Sequence, residues 1–289
     1  MRMPSPAGPR FGRIALIGKL RSAEIEASLR ELRAFLTGRG CEVVPEGETK
    51  ADLAIVIGGD GTMLAAAREL VKHRVPLVGV NQGRLGFMTD IGRDDMQAGV
   101  GAILDGSYVI EERSLLDAEV LHQGKSVLRT IALNEAVIGK GSQGRLIEFE
   151  LSVDGEFVYT LRADGMIVAT PTGSTAYALS AQGPILHPAV PALTLVPLNP
   201  HTLSARPVSV SDRCVIEIVM VHALDARAHF DGLALADMAE GDRLILKRSA
   251  DVVRFVHPPG YRYFATLREK LRWGGTIEKK VEKASRSSG

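Results

Sequence analysis

The sequence predicts two domains, an α/β domain followed by a mostly β domain, on three observations. Over residues 13 to 105, short apolar runs alternate with stretches of helical periodicity. From about Ser114 the texture changes to closely spaced strand-like runs separated by turn residues. The length, 289 residues, also exceeds that of a usual single core. The expected boundaries are 1–113 for the α/β domain and 114–256 for the β-rich domain. A helix at about 257–275 is expected to pack back on the first domain, and 276–289 to form a disordered tail, like the proline-rich start before Arg10.

Arg13-Ile14-Ala15-Leu16-Ile17-Gly18 reads as a strand, and Ile25, Leu29, Leu32 and Leu36 then mark one face of a helix. A strand is expected near Cys41 to Val44. Leu53-Ala54-Ile55-Val56-Ile57 is continuous and rich in β-branched residues, as a strand covered on both faces should be. Gly58-Gly59-Asp60-Gly61-Thr62 follows it, and then Met63, Leu64, Ala67, Leu70 and Val71 recur at helical spacing, with Thr62 as the expected N-cap. Leu77 to Val80 reads as another buried strand, and Asp94 to Asp105 as a weaker helix. This alternation implies parallel βαβ units, whose ligands sit beyond the carboxyl ends of the strands. The Gly58–Thr62 turn and the stretch Asn81 to Phe87 would both lie there.

In the second part the expected strands are Leu115 to His122, Leu133 to Gly139, Leu146 to Val153, Glu156 to Arg162 and Gly165 to Ala169, with Asp154-Gly155 as a hairpin turn. Later strands fall at Cys214 to Val221, Ala228 to Asp231, Asp242 to Lys247 and Val252 to Val256. A last helix, about Tyr263 to Trp273, has Phe264, Leu267 and Leu271 on its apolar face.

Composition removes several functions. With 35 basic against 34 acidic residues and 5% aromatics there is no general basic field, so no nucleic-acid partner is expected. No apolar run reaches the roughly 20 residues of a membrane helix, and the start lacks an apolar signal core, so a cytoplasmic protein with no membrane partner is expected. Cys41 and Cys214, far apart and beside apolar residues, read as free thiols, and no histidine or cysteine spacing suits zinc.

Strand, glycine turn and helix together point free N–H groups at an anion, which makes Gly58, Gly59, Gly61 and Thr62 candidates for binding phosphate. Asp60 is the odd member, because phosphate repels a carboxylate. It could accept a proton from a hydroxyl nucleophile, hold a divalent cation, or cap the following helix. Gly139-Lys140-Gly141-Ser142-Gln143-Gly144 spells a dinucleotide fingerprint, but the residues after it alternate as a strand does, so a hairpin turn is expected instead. Gly124-Lys125-Ser126 lacks the upstream glycine of a phosphate-binding P-loop, since Glu119 stands there. Asp164 to Ser180 enters as a strand, breaks at Pro171 and Gly173, and begins a short helix under a cluster of hydroxyls. That cluster suits ribose, phosphate and base edges, or else a polar turn that caps a helix, and Tyr177 stacks on a base or fills space. Asn134-Glu135 is a polar pair within a strand, so at least one is buried or at a site. His187 and His201, lone histidines in proline-rich loops, read as structural.

Taken together and in this order, these stretches resemble the NAD kinase family. Gly58 to Thr62 is similar to its GGDGT motif, Asn81 to Thr89 to its N-x-G-x-L-G-F segment, and Asn134-Glu135 to its N-E pair. Asp164 to Ser180 resembles its D-G-x-I-V-x-T-P-T-G-S-T-A-Y signature, and Gly183 to Pro188 and Pro197 to Pro207 continue the match over nearly the whole chain except the tails. GGDGT alone also resembles turns of phosphofructokinases and of diacylglycerol or sphingosine kinases. The long signature is far more specific.

The resemblance implies a Rossmann-like α/β domain, a β-rich domain, an active site in the crevice between them, and a homodimer or homotetramer. It implies that ATP, with magnesium or another divalent metal, phosphorylates the adenosine 2′-hydroxyl of NAD to give NADP. Asp60 would then be the proton acceptor, and Asp60, Gly61, Phe87, Asn134, Glu135, Arg145, Arg162, Asp164, Thr175, Ala176, Tyr177 and Ser180 would bind NAD. The sequence departs from many members at Leu233, where a late D-x-Q motif would carry Gln. Arg162 resembles the members that prefer NAD to NADH.

Overall fold

The structure, a computed structural model, describes residues 11–18, 22–45, 47–83, 86–142 and 144–273. The chain divides into two compact units, the first made of residues up to Ala66, Val75–Glu111 and those from Arg254 on, the second of Ala67–Arg74 and Glu112–Val253. Both expected tails lie outside the described residues, as do Arg84 and Leu85 of the Asn81–Thr89 stretch.

In the first unit, β1 (Arg13–Gly18), β2 (Glu42–Val44), β3 (Leu53–Ile57) and β4 (Leu77–Val80) form a parallel sheet in the order β2-β1-β3-β4. All five residues of β3 are buried, as its unbroken apolar run requires. The helix α1 (Ala23–Gly38) is capped by Ser22, whose Oγ accepts from Ile25 N at 3.2 Å, and it buries Leu32 and Leu36 against the sheet. The helix α2 (Asp60–Leu70) starts at Asp60, so Thr62 lies inside its first turn and is not the cap. The amides of Thr62 and Met63 instead donate to Gly59 O at 2.9 and 3.1 Å. A shorter helix, α3 (Met96–Leu104), completes one side of the core.

The second unit holds two antiparallel arrays. One is a six-stranded sheet in the order β12-β11-β10-β7-β14-β15, made of β7 (Glu135–Lys140), β10 (Gly165–Ala169), β11 (Ala192–Leu198), β12 (Val208–Ser211), β14 (Ala226–Phe230) and β15 (Leu233–Met238). The other joins β16 (Arg243–His257), β13 (Ile216–His222), β8 (Ile147–Val153) and β9 (Glu156–Ala163), and beside it runs a hairpin of β5 (Val109–His122) and β6 (Lys125–Ala132). Alternate residues of these strands, such as Phe149, Leu151, Ile216, Ile218, Met166 and Val168, meet in one core, the period-2 pattern of packed sheets. The opposite face of the six-stranded sheet, at Val137, Ile167, Ala169 and Val196, is covered by Ala178 of α4 (Tyr177–Ser180). The last residues of β16 belong to the first unit, where Phe255 pairs with Leu77, and α5 (Tyr263–Leu271) follows. Of the expected apolar face of α5, Leu267 is buried, but Phe264 is 61% exposed.

Three strand expectations need correction. β7 and β8 lie in different arrays and do not pair, so they are not the two arms of a hairpin, although no helix follows the glycines. The two runs expected around 242–256 are one strand, carried through its polar middle by Ser249, which is buried, and by Arg248, which pairs with Asp212 at 2.6 Å. Four strands, β6, β11, β12 and β15, were not anticipated.

Candidate active site

In the first unit the chain leaves β3 at Gly58, whose N–H donates to Val80 O at 2.9 Å, and turns directly into α2. Amides of a helix's first turn have no carbonyl partner one turn earlier in the helix, and here those of Thr62 and Met63 are taken up by Gly59 O. The Asp60 carboxylate does not turn back on those amides. Its Oδ2 accepts from Phe87 N and its Oδ1 from Met88 N, each at 3.0 Å. The cap reading of Asp60 therefore gives way to a carboxylate fixed by a neighbouring loop, with lone pairs left on both oxygens. Gly86 makes this seat: its N–H donates to Thr89 Oγ1 at 2.8 Å, and a Cβ there would run into Asp60 Oδ1. On α5, burial lowers the pKa of Lys270, while the charges of Asp60 and Glu269 oppose that effect.

The second unit builds a separate cluster around Asn134 and Glu135, both buried. Asp231, at a two-residue turn with left-handed backbone (φ 54°), accepts from Leu133 N, Asn134 N and Glu135 N at 2.9, 2.8 and 3.3 Å, and pairs with Arg68 at 3.3 Å. Burial, reinforced by the Asp231 charge, raises the pKa of Glu135 to about 7. Glu135 Oε2 and Asn134 Oδ1 are buried without a hydrogen-bond partner, an arrangement that awaits a donor from a ligand. Glu135 borders a cavity of about 470 Å³, lined also by Lys140, Asp164, Tyr177, Asn199 and His229 among others. Asp164 is held there by Lys140 Nζ at 2.5 Å and Asn199 Nδ2 at 2.9 Å; the Lys140 bond is the main cause of its lowered pKa.

The hydroxyl cluster is mostly consumed by its own turn. Thr170 Oγ1 donates to Leu133 O at 2.5 Å, Ser174 Oγ to Pro171 O at 2.6 Å, and Thr175 Oγ1 to Thr172 O at 3.1 Å, while Arg113 donates to Thr172 Oγ1 at 3.2 Å. The turn packs so closely that a Cβ on Gly173 would meet Asn134 O, so these residues seat Asn134. Tyr177 is half exposed on the cavity wall, Thr175 and Ala176 precede it, and Ser180 is exposed at the end of α4.

The structure thus groups Gly58, Gly59, Asp60, Gly61, Thr62 and Phe87 in one unit, and Asn134, Glu135, Asp164, Thr175, Ala176 and Tyr177 in the other. It does not bring Arg145 or Arg162 to that cavity. Arg145 is exposed ahead of β8, and Arg162, 3.7 Å from Glu148, lines a different groove of about 530 Å³ with His201 and Arg206. Sequence reasoning missed Lys140, Asn199 and His229. Lys140 stood in the glycine run read as a turn, and Asn199, with φ 43°, stood in the Pro197–Pro207 match with no role assigned. His187 and His201 are in loops, where His187 Nδ1 accepts from Ala189 N at 3.1 Å. Leu233 lies in β15, and its side chain is outside the described ones. Both cysteines are free. Among the described residues no group of three His, Cys, Asp or Glu side chains could hold a metal ion.

A parallel α/β unit that ends a strand in a glycine–aspartate turn, together with a β unit that holds a polar cavity, suits a nucleotide-dependent phosphotransferase. Residues 41–108 match the model of the ATP-NAD kinase N-terminal domain, and residues 133–258 that of the C-terminal domain. The chain is 56% identical to an NAD kinase of Aromatoleum aromaticum over 286 residues, covering 92% of this chain and 95% of the relative. Its fold is similar to yeast NADH kinase complexed with NADH, at a TM-score of 0.85 and 22% identity over 92% of this chain and 89% of that one. An NAD kinase from Archaeoglobus fulgidus in complex with ATP is similar at a TM-score of 0.75 and 26% identity, covering 90% of this chain and 98% of the other. The chain belongs to the NAD kinase family.

Proposed function

We propose that this protein transfers the γ-phosphoryl group of ATP to the 2′-hydroxyl of the adenosine ribose of NAD, giving NADP, with Asp60 as general base. The observation that carries the role of Asp60 is its seat: two backbone amides 3.0 Å away fix the carboxylate at the head of α2. A ribose hydroxyl is a poor nucleophile at neutral pH, and a positioned carboxylate that takes its proton supplies ~10²–10⁴-fold. Of the glycine-turn residues carried over for phosphate, Gly58 and Thr62 shape the turn, their N–H groups donating to Val80 O and Gly59 O, while the amides of Gly59 and Gly61 donate to phosphate oxygens, and alignment supplies most of the remaining acceleration.

Glu135, Asn134, Asp164 and Tyr177 bind NAD, with Gly61, Phe87, Thr175, Ala176 and Ser180 completing the set carried over from the family; Arg145 and Arg162 rest on that resemblance alone, since neither lines the cavity. Glu135 Oε2 and Asn134 Oδ1, buried and unpartnered, are acceptors suited to ribose hydroxyls or an exocyclic amine. The divalent cation arrives on the ATP phosphates. No helix of the described residues is long and apolar enough to cross a membrane, and we place the enzyme in the cytoplasm as a homo-oligomer. Purified protein incubated with ATP, magnesium and NAD should form NADP with one ADP per NADP. Binding of NAD without turnover would mark a sensor and reject the assignment.

A further inference from the structure

The first unit holds a second set of ionisable groups that the mechanism above does not use, a buried His257 between the part-buried Asp90 and Glu111. His257, the last residue of β16, is 2% exposed. Its Nδ1 is hydrogen-bonded to Asp90 Oδ2, its Nε2 lies 3.1 Å from Glu111 Oε2, and its ring stacks on Tyr261 with centroids 3.8 Å apart and planes at 6°. An imidazole with a carboxylate on each nitrogen satisfies both only when both nitrogens carry protons. Burial opposes that charge, but the hydrogen bonds and charges of Asp90 and Glu111 outweigh it, and the pKa of His257 is raised.

The place of Asp90 in the chain gives the cluster its meaning. Two residues before it, Met88 N holds Asp60 Oδ1. One residue after it, Ile91 is fixed to β4, with Ile91 N donating to Gly79 O at 3.3 Å and Asn81 N to Ile91 O at 2.9 Å. Between them the loop crosses β4 so tightly that a Cβ on Gly79 would stand 2.8 Å from Thr89 Cα.

We propose that His257 is a positioning residue for phosphoryl transfer: as an imidazolium it clamps Asp90, and so keeps the Phe87 and Met88 amides in register with the Asp60 carboxylate. The inference rests on the reading of Asp60 as the base. When His257 loses its proton, one N–H remains for two carboxylates, the ring can no longer donate to Asp90 and Glu111 together, and its hold on the loop weakens. The groups on the ring are Asp90 from the loop after β4, Glu111 from β5 and Tyr261 ahead of α5. Because the folded pKa is raised, the clamp is complete below the ordinary histidine value of about 6.5 and is lost as pH rises through the folded value.

The test is the pH profile of NAD phosphorylation for wild type, Glu111→Gln, His257→Gln and Asp60→Asn prepared side by side. Glu111→Gln should keep the plateau kcat and move the alkaline limb of kcat down by about one pH unit, as loss of one neighbouring anion requires. His257→Gln should lower kcat ~10–100-fold with the NAD dissociation constant unchanged and should lose that limb. The proposal is overturned if folded Glu111→Gln and His257→Gln both keep wild-type kcat and its alkaline limb. Should His257→Gln fail to fold, the limb of Glu111→Gln decides alone. Asp60→Asn at wild-type turnover would instead reject the underlying reading of Asp60, whereas inactive Asp60→Asn beside unaffected His257 and Glu111 variants rejects the clamp only.

Discussion

Asp60 and Glu135 are treated in opposite ways by the fold. Asp60 has an amide for each oxygen, whereas Glu135 is buried beside another carboxylate and has an oxygen with no partner. The first arrangement aims a base, and the second stores a strained acceptor. Gly86→Ala should push a methyl group into the Asp60 carboxylate and lower phosphorylation by at least ~10-fold while far-ultraviolet circular dichroism stays native. Glu135→Gln makes a stability prediction with a defined sign. A carboxyl raised from 4.5 to about 7 holds its proton more tightly when folded, so it penalises folding progressively as pH rises across that window. The amide should therefore stabilise the ligand-free protein at pH 8 by on the order of 1–3 kcal/mol, seen as a higher melting temperature, and change its stability little at pH 4.5. Equal effects at the two pH values would contradict that origin.

Between elements, the tie that matters most in the second unit is the β14–β15 turn. Asp231 gathers the amides of Leu133, Asn134 and Glu135, which lead into β7, and the Arg68 guanidinium, and thereby presents Asn134 and Glu135. Asp231→Ala would leave three buried amides and a cation short of an acceptor, and a loss of ~2–4 kcal/mol in urea unfolding is expected. A loss below about 0.5 kcal/mol would mean that water replaces it. This turn was illegible from sequence, where Asp231 read as the end of a strand. β3, α1 and the Asp154-Gly155 hairpin were legible because their signals are local: unbroken burial, helical spacing and a left-handed turn pair. β6 was not, because most of its residues are half-buried or exposed and its apolar pattern is thin. β11 was hidden by Pro197, tolerated because β12 pairs only with residues 192–195.

The chain visits the first unit three times, and its last visit supplies Phe255 against Leu77, Val256 in the core and His257. A chain ended at Val253 should therefore make no NADP, and full activity in that truncation would show that these contacts are dispensable. The candidate site was legible to the extent that residue chemistry is legible. Asp60, Asn134, Glu135 and Asp164 stood out as polar groups in apolar or glycine-rich settings, and the structure gives each a defined set of partners or a conspicuous lack of one. What could not be read was the use of each hydroxyl between Thr170 and Thr175, or the company of Lys140 and Asn199 around Asp164, since both depend on contacts far apart in sequence. The central claim is that the carboxylate held by Phe87 N and Met88 N takes the ribose proton. The most direct measurement compares wild type with Asp60→Asn for NAD affinity and for NADP formed per enzyme. Affinity should be kept within a few-fold while turnover falls at least ~100-fold. Turnover equal to wild type would remove Asp60 from the mechanism.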